Sequence, residues 1–164
     1  MKYHVLVDLY ESLGATAKRL QKIQLVGDFL KKVPDDVLEE SILLLQGRVF
    51  PSWDERKIGM AGKLVVKALQ TATGCDKGAI EEAWKKTGDL GDAAERLIEK
   101  KKQVTLVKKE LDVKHLFSNI QKLASLEGVG TVEKKVRLVA ELLTSAQPKE
   151  AKYVVRTILE ELRV

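Results

Sequence analysis

Cysteine and proline are scarce in this sequence, and both absences limit what the chain can be. The single cysteine, Cys75, excludes an internal disulfide and a cysteine-rich zinc site. Only 3 of the 164 residues are proline, so helices are seldom interrupted. Aromatic residues make up 5% of the chain, which is too few to indicate a surface that stacks the bases of a single strand.

Long apolar runs are missing as well. No stretch approaches the ~20 apolar residues that a membrane-spanning helix needs. The residues after Lys2 do not follow the pattern of a signal peptide. We therefore expect a soluble, intracellular protein with no membrane partner.

The chain is rich in charged and aliphatic side chains. Charged residues account for 32% of the sequence and hydrophobic residues for 45%, as is typical of globular proteins. A chain of 164 residues is long enough to bury a substantial core. The net charge of +5 favours a polyanionic partner.

The first third of the chain has the periodicity of helices. Apolar residues recur every three or four positions up to Gly14, and Thr16 is a candidate cap for a second helix. The apolar face expected for that second helix consists of Leu20, Ile23, Phe29 and Leu30. A third helix is predicted from 37 to 46, and four consecutive aliphatic residues at 42–45 place it in the core.

Further helices are predicted over 61–73, 77–87, 92–101, 113–126, 132–145 and 148–162. Asp76 is a candidate cap, and Pro148 suits a first helical position. In the connector at 47–59, we expect Phe50 and Trp53 to pin the chain to the core. Because no period-two alternation is long enough for a sheet, the predicted fold is all-α, a single domain of about nine to ten helices.

The most informative motif is Gly128-Val129-Gly130-Thr131-Val132-Glu133-Lys134-Lys135, in which two glycines lead into a helix start. A helix start has N–H groups without intrahelical partners and a partial positive charge, so it attracts phosphate. Glycine allows close approach of a ligand, and the lysines add full charges. We interpret Gly128, Gly130, Thr131, Lys134 and Lys135 as contacts to a nucleic-acid backbone. A structural alternative, with Gly128 ending one helix and Thr131 capping the next, leaves Gly130 and the lysines unexplained.

A second segment, Gly59-Met60-Ala61-Gly62-Lys63, repeats this arrangement. It is too short for a nucleotide-binding phosphate loop, and no Ser or Thr follows its lysine. Its candidate backbone contacts are Gly59, Met60, Gly62 and Lys63, and the alternative is a plain helix start. The echo raises the hypothesis of two pseudo-symmetric helical halves that present two helix starts to one duplex.

A lysine belt surrounds the weakly patterned segment at 103–107. Its members are Lys100, Lys101, Lys102, Lys108, Lys109 and Lys114. The enclosed Gln103-Val104-Thr105-Leu106-Val107 is a small apolar plug, and an exposed plug of this kind is typical of a docking site for a partner. The alternative function is therefore a helical protein–protein scaffold whose basic face binds an acidic partner.

The sequence offers no constellation for catalysis. It contains no recognisable Ser/His/Asp set, nucleophile elbow or paired-carboxylate cleft. His4 and His115 are far apart in sequence. We expect no catalytic residue, no metal and no cofactor in this chain.

Six segments occur in a distinctive order along the chain. They are Gln46-Gly47-Arg48-Val49-Phe50-Pro51-Ser52-Trp53, Ile58-Gly59, Leu69-Gln70-Thr71-Ala72-Thr73-Gly74, Gly88-Asp89-Leu90-Gly91, Gly128-Val129-Gly130-Thr131 and 150–164. In this order and spacing the sequence resembles the N-terminal DNA-binding domain of ATP-dependent DNA ligases of the archaeal and eukaryotic replicative branch. The resemblance covers essentially the whole chain, 1–164.

The resemblance implies an all-helical domain that clasps nicked duplex DNA across the minor groove, mostly through sugar and phosphate, in replication, repair and recombination. Both glycine-rich segments match DNA-contacting segments of the family, and the resemblance alone adds Arg163. In some archaeal relatives the connector binds a sliding clamp through a Gln followed by two Phe. The matching positions here are Gln103, Leu106 and Val107, and aliphatic side chains fill such a pocket less well than aromatic ones.

The resemblance also implies further domains. The family adenylates a lysine within a Lys-x-Asp-Gly motif of a nucleotidyltransferase domain, and an OB-fold domain accompanies it. No Lys-x-Asp-Gly motif occurs in this sequence. We therefore expect a DNA-binding part of a larger ligase, inactive alone, whose parent uses ATP and magnesium in the cytoplasm of an archaeon or the nucleus of a eukaryote. A composition rich in Lys and Glu and poor in Cys and Met fits a thermophile.

Overall fold

The computed structural model describes residues 1–101 and 109–164. The α-helices in these ranges are α1 (Tyr3–Gly14), α2 (Arg19–Lys32), α3 (Leu38–Leu45), α4 (Gly62–Thr73), α5 (Lys77–Thr87), α6 (Leu90–Lys101), α7 (Val113–Ser125), α8 (Val132–Ser145) and α9 (Pro148–Ile158). A 3₁₀ turn over Asp35–Val37 precedes α3. Strand-like pairing in the described ranges is limited to an isolated bridge between Lys2 and Asp112. The predicted all-α fold is confirmed, whereas the pseudo-symmetry of two halves stays a prediction.

Two helix pairs form the centre of the molecule. The most extensive contacts are those of α6 with α9 and of α4 with α8, while α5 packs on both α4 and α6. One hydrophobic cluster runs through all of them, and its large, fully buried side chains include Tyr3, Leu6, Leu69, Ile80, Leu116 and Leu143. Burial of each such side chain stabilises the fold by about 1.5–3 kcal/mol. The described residues therefore form a single domain around one core.

α6 and α9 approach each other closely at Gly91. A Cβ at position 91 would lie 2.8 Å from both the carbonyl oxygen of Lys152 and Cγ of Arg156. Asp89 Oδ1 accepts hydrogen bonds from the N–H groups of Gly91 at 2.7 Å and Asp92 at 3.3 Å, and so caps the start of α6. In the segment Gly88-Asp89-Leu90-Gly91, capping of α6 thus explains Asp89, and close helix packing explains Gly91.

Several helix boundaries agree with the predictions. Asp76 Oδ1 accepts a hydrogen bond from Ala79 N at 2.7 Å and caps α5. Gly74 ends α4 with a φ of 73°, in the left-handed region that favours glycine. Pro148 is the first residue of α9, and α8 has the predicted bounds Val132–Ser145.

The prediction for the second helix is wrong in its cap and in part of its apolar face. α2 begins at Arg19 with Lys18 at the N-cap position, and Thr16 Oγ1 instead accepts a hydrogen bond from Lys18 N at 3.2 Å. Leu20 is 80% exposed and Ile23 57% exposed. α2 packs mainly on α1 and has no fully buried residue. Its peripheral position leaves this side of the helix uncovered.

The predictions for the third and the last helix are also wrong in part. The third helix spans Leu38–Leu45 and is not enclosed by the core, because Leu44 is buried whereas Ile42 is 38% exposed. α9 ends at Ile158 instead of 162. There Glu160 takes a left-handed φ of 58°, and the N–H of Glu161 donates to the carbonyl of Arg156 at 2.8 Å. This is the hydrogen bonding of a Schellman turn, which closes the helix.

The segment between α3 and α4 is irregular but anchored. Val49 and Phe50 are buried, and Gln121 Nε2 donates a hydrogen bond to the carbonyl of Val49 at 2.9 Å. Phe50 therefore pins the segment, as predicted. Trp53 does not, because it is 81% exposed.

Within 1–101 and 109–164, no helix combines the length and apolar character required to cross a membrane. The same ranges contain no cluster of three or more His, Cys, Asp or Glu side chains suited to a metal ion.

Candidate nucleic-acid interface

The starts of α4 and α8, which were predicted separately as backbone contacts, lie next to each other. Lys135, in the first turn of α8, donates a hydrogen bond from Nζ to the carbonyl oxygen of Gly59 at 3.1 Å. Gly59 lies just before α4, and 76 positions separate the two partners in sequence. The fold thus brings the two glycine-rich segments to one place.

The residues before α4 have distinct roles. Met60 is 6% exposed and belongs to the core, so it presents little surface to a ligand. A Cβ at position 62 would lie 2.7 Å from Cη2 of Trp84, so packing against α5 explains Gly62. Gly59 is exposed with a φ of 67°, and Lys63 is exposed in the first turn of α4. Gly59 and Lys63 are the members of this segment best placed to meet a ligand.

The turn before α8 is open to solvent. Gly128 and Gly130 have φ values of 98° and 83°, and a Cβ at either position would have no described neighbour within 4 Å. The hydroxyl of Thr131 donates to the carbonyl of Gly128 at 2.7 Å and does not cap α8. α7 ends with Leu126 as its C-cap, so Gly128 does not have that role either. Left-handed geometry accounts for both glycines, and the exposed backbone between them is accessible.

Among the residues that the structure describes, no side chain caps the start of α4 or of α8. Ala61 and Thr131 occupy the N-cap positions of α4 and α8, and neither accepts a hydrogen bond from the first turn. By contrast, Asp76 and Asp112 cap α5 and α7. α1, α2 and α3 also lack capping side chains, so proximity is what distinguishes this pair of starts. Uncapped N–H groups and the helix dipole together attract anions.

Three exposed lysines accompany the two starts. Lys57, Lys63 and Lys134 form no ion pair with any carboxylate in the part of the chain that the structure describes. The sequence interpretation missed Lys57, although its position two residues before Gly59 was a usable signal. All three ammonium groups are available to an anionic ligand.

Arg56 is less available than its neighbour Lys57. Its Nη2 lies 2.7 Å from Asp54 Oδ2, and its Cζ lies 4.3 Å from the ring centroid of Phe50. The side-chain hydrogen bond from Arg56 holds the pKa of the Asp54 carboxyl below its usual value. The pair stabilises the local loop and reduces the net positive charge there.

A groove of about 390 Å³ lies beside the contact between Lys135 and Gly59. Its charged lining residues are Glu55, Arg56, Lys57, Glu127 and Lys135. Cations and carboxylates are mixed here, so the groove itself is not a strongly cationic site. Lys57 in this lining, and Lys63 and Lys134 in the first turns of α4 and α8, have no carboxylate partner among the described residues.

Arg163, which only the resemblance had added, is held by other contacts. Its Nη1 lies 3.6 Å from Asp89 Oδ2 and its Nη2 lies 3.6 Å from Glu161 Oε2. The backbone at Arg163 has a left-handed φ of 53°. Among the described residues, no hydrogen bond or ion pair links it to the start of α4 or α8. A contact of Arg163 with DNA stays a prediction.

The candidate clamp residues Gln103, Leu106 and Val107 lie outside the described residues, so clamp binding stays a prediction. Of the lysine belt, Lys102 and Lys108 also lie outside. Lys114 lies 3.3 Å from Asp36 in an ion pair.

Within 1–101 and 109–164, these features define an all-helical domain in which two helix starts without capping side chains lie near lysines that have no carboxylate partner. The family described as "DNA ligase N terminus" matches residues 2–164. The chain belongs to this family, which confirms the resemblance drawn from its motifs.

Archaeal proteins named DNA ligase are similar over the same range. The protein of Thermococcus fumicolans is 42% identical over 163 residues, which cover 99% of this chain and 29% of the relative. That of Nanoarchaeum equitans is 42% identical over 164 residues, with 100% and 29% covered. That of Methanopyrus kandleri is 41% identical over 164 residues, with 99% and 29% covered. The chain thus spans about three tenths of the length of these relatives.

Proposed function

We propose that this chain binds nicked duplex DNA without sequence preference, through the sugar–phosphate backbone and the minor groove, as the N-terminal domain of an ATP-dependent DNA ligase in replication and repair. Membership of the family supports the link to DNA ligase. The observation that carries the binding surface is that two anion-attracting helix starts are adjacent: α4 packs on α8, and Lys135 Nζ donates to the carbonyl oxygen of Gly59 at 3.1 Å.

Duplex DNA suits this arrangement. It carries about one negative charge per 1.7 Å of helix axis, and lysines that neutralise phosphates release bound counterions. Lys57, Lys63 and Lys134 are exposed and unpaired within the described ranges, so they can make such contacts. Val129 is 107% exposed between two glycines, so its apolar side chain can contact the sugars of the DNA backbone. The expected recognition is of backbone and shape, not of base sequence.

In this proposal the sealing reaction belongs to other domains of the parent protein. ATP and magnesium would serve those domains, because this chain has no Lys-x-Asp-Gly motif. We expect no covalent label on the chain after incubation with radiolabelled ATP and magnesium. Stable labelling of a lysine would contradict this part of the proposal.

The test of DNA binding is fluorescence anisotropy with nicked, intact and single-stranded DNA of one sequence. We expect both duplex forms to bind more tightly than the single strand, and scrambled sequences to bind equally. Affinity should fall linearly on a log–log plot against salt concentration. If no DNA form binds at low salt, the proposal is wrong and the scaffold with an acidic protein partner is favoured.

A further inference from the structure

We propose that an apolar groove beside α3 is a docking site for a short basic segment of a partner protein. This α3 groove has a volume of about 340 Å³ and is lined by Leu38, Glu39, Ile42, Leu43 and Pro51. Among the described residues, it shares no lining residue with the groove beside Lys135 and Gly59. The α3 groove is therefore a surface separate from the candidate nucleic-acid interface.

Helical spacing exposes the apolar residues of the α3 groove. Leu38 and Ile42 are four positions apart in α3, so they are neighbours on one face of the helix. Leu44 is fully buried in the core, whereas Ile42 is 38% exposed. Pro51 comes from the segment after α3 and completes the lining. Core packing thus uses one side of α3 and leaves this apolar side open to solvent.

A large exposed aromatic residue lies close to the α3 groove. The N–H of Asp54 donates to the carbonyl of Pro51 at 3.0 Å, which closes a tight turn. Trp53 lies within that turn and is 81% exposed. Exposed apolar residues that gather at one place mark interaction sites, and tryptophan is enriched among the residues that contribute most to binding. A partner seated at Pro51 is within reach of this indole.

The charge around the α3 groove favours a cationic partner. The stretch 33–47 contains four carboxylates and neither Lys nor Arg, although the whole chain has a net charge of +5. Asp36 forms an ion pair with Lys114 at 3.3 Å. The carboxylates that have no ion-pair partner among the described residues are Asp35, Glu39 and Glu40. This corner of a basic protein is therefore acidic, and its negative charge is largely uncompensated.

Glu39 determines which kind of partner can cover the α3 groove. Its carboxylate belongs to the lining, so a purely apolar partner would remove water from the charge without replacing it. A lysine or arginine of the partner opposite Glu39 offsets that loss, while apolar side chains beside it contact Leu38 and Ile42. The phosphates of DNA would be repelled by the same carboxylates. Pairing with the same face of a second copy is disfavoured as well, because it would bring two acidic stretches together.

Docking is tested with two synthetic peptides as probes. One peptide has leucines at positions i and i+4 flanked by lysines, and the other has the same leucines flanked by glutamates. We expect the lysine peptide to shift the amide signals of the ¹⁵N-labelled chain at 38–43 and 52–54, together with the indole N–H signal of Trp53. The glutamate peptide should leave them unchanged. Equal shifts from both peptides, or shifts from the lysine peptide at other positions only, would overturn the inference.

Reversal of the charge at position 39 tests the role of the carboxylate. We expect Glu39→Lys to weaken binding of the lysine peptide about tenfold and to create binding of the glutamate peptide. Glu40→Lys is the matched control, because it changes the net charge equally but lies outside the lining, and it should weaken binding only about twofold. Glu39→Gln serves if Glu39→Lys does not fold. Equal losses in the variants at 39 and 40 would overturn the inference.

Two other occupants of the α3 groove are tested with Ile42→Ser. We expect this variant to weaken binding of the lysine peptide and to bind nicked duplex DNA as the wild-type chain does. Weaker DNA binding by Ile42→Ser would overturn the inference, because the groove would then belong to the DNA surface. Sedimentation equilibrium over a range of concentrations should show a monomer. A dimer that Ile42→Ser abolishes would assign the groove to a second copy of this chain and would also overturn the inference.

Discussion

Nη2 of Arg156 lies 2.8 Å from Oδ2 of Asp89, and this ion pair ties α9 to the start of α6. Both residues are buried, at 9% and 6% exposure. The same guanidinium lies 3.3 Å from Asp92 Oδ1, and the Asp89 carboxylate also receives Arg163 at 3.6 Å. One carboxylate thus joins two helices and positions a residue that the family resemblance assigns to DNA contact.

Asp89→Asn should destabilise the fold by about 1–3 kcal/mol, because Arg156 loses its nearer carboxylate partner and keeps only Asp92, at 3.3 Å. The free energy of unfolding from urea denaturation measures the effect. Glu81→Gln is the control, since it breaks an exposed pair with Lys77 at 3.7 Å and should cost less than about 0.5 kcal/mol. Equal losses of unfolding free energy in the two variants would show that the buried pair of Asp89 with Arg156 contributes no more to stability than an exposed pair.

Stability should fall in acid. Burial alone would raise the pKa of the Asp89 carboxyl, but the hydrogen bond and charge of Arg156, with two backbone N–H groups, hold that pKa below its usual value. Burial is likewise outweighed at Glu11, whose pKa is lowered by the Tyr153 hydroxyl and by Lys152. A lowered pKa in the folded state contributes stability above the unfolded-state pKa, and this contribution is lost as the pH falls through the folded-state pKa.

We therefore expect the free energy of unfolding to decrease as the pH is lowered below about 4. Asp89→Asn should show a shallower decrease, because it lacks one of the responsible carboxyls. Urea titrations at pH 7, 4, 3 and 2.5 measure the two curves. Parallel curves would mean that Asp89 does not contribute to the acid sensitivity.

Gly91→Ala should destabilise the fold by about 1–3 kcal/mol, because its Cβ would lie 2.8 Å from the backbone of α9. Gly27→Ala is the matched control. Its Cβ would meet no described atom within 4 Å, and it lies inside α2, so alanine should stabilise the fold by up to about 1 kcal/mol. Thermal unfolding distinguishes the expected loss of stability in Gly91→Ala from the expected gain in Gly27→Ala. Destabilisation by both variants would indicate a general loss on replacing glycine rather than close helix packing.

Periodicity and end signals were enough to predict most helices. Nearby residues determine the bounds of α8, the N-cap at Asp76 and the end of α4 at Gly74. These features can therefore be predicted from local sequence. Burial is different, because it depends on what lies opposite. Leu20 and Trp53 look like core residues in the sequence and are 80% and 81% exposed, since no described neighbour covers them.

The candidate site was predictable as segments but not as an arrangement. Glycines and lysines at two helix starts were visible in sequence. The hydrogen bond between Lys135 and Gly59 spans 76 positions, and nothing local to either residue encodes it. The packing of Trp84 against Gly62 also depends on tertiary structure. It explains the glycine at position 62 without a ligand.

The contrast between Phe50 and Trp53 gives a direct test of burial. Phe50→Ala should cost about 3 kcal/mol or more, because the ring is 6% exposed and packs in the core. Trp53→Ala should change the free energy of unfolding by less than about 0.5 kcal/mol. Urea denaturation of both variants provides the comparison. A large loss at Trp53 would mean that it is covered in solution.

The double variant Lys63→Ala/Lys134→Ala should reduce the salt dependence of duplex binding. Each lysine is exposed and unpaired in the described ranges, so each is expected to neutralise about one phosphate. The slope of log affinity against log salt should therefore become shallower by about 2. Lys149→Ala is the control: its ammonium already lies 3.4 Å from Glu11, so its loss should leave the slope unchanged. An unchanged slope in the double variant would place the phosphate contacts elsewhere on the molecule, whereas equal changes in both proteins would indicate an effect of net charge alone.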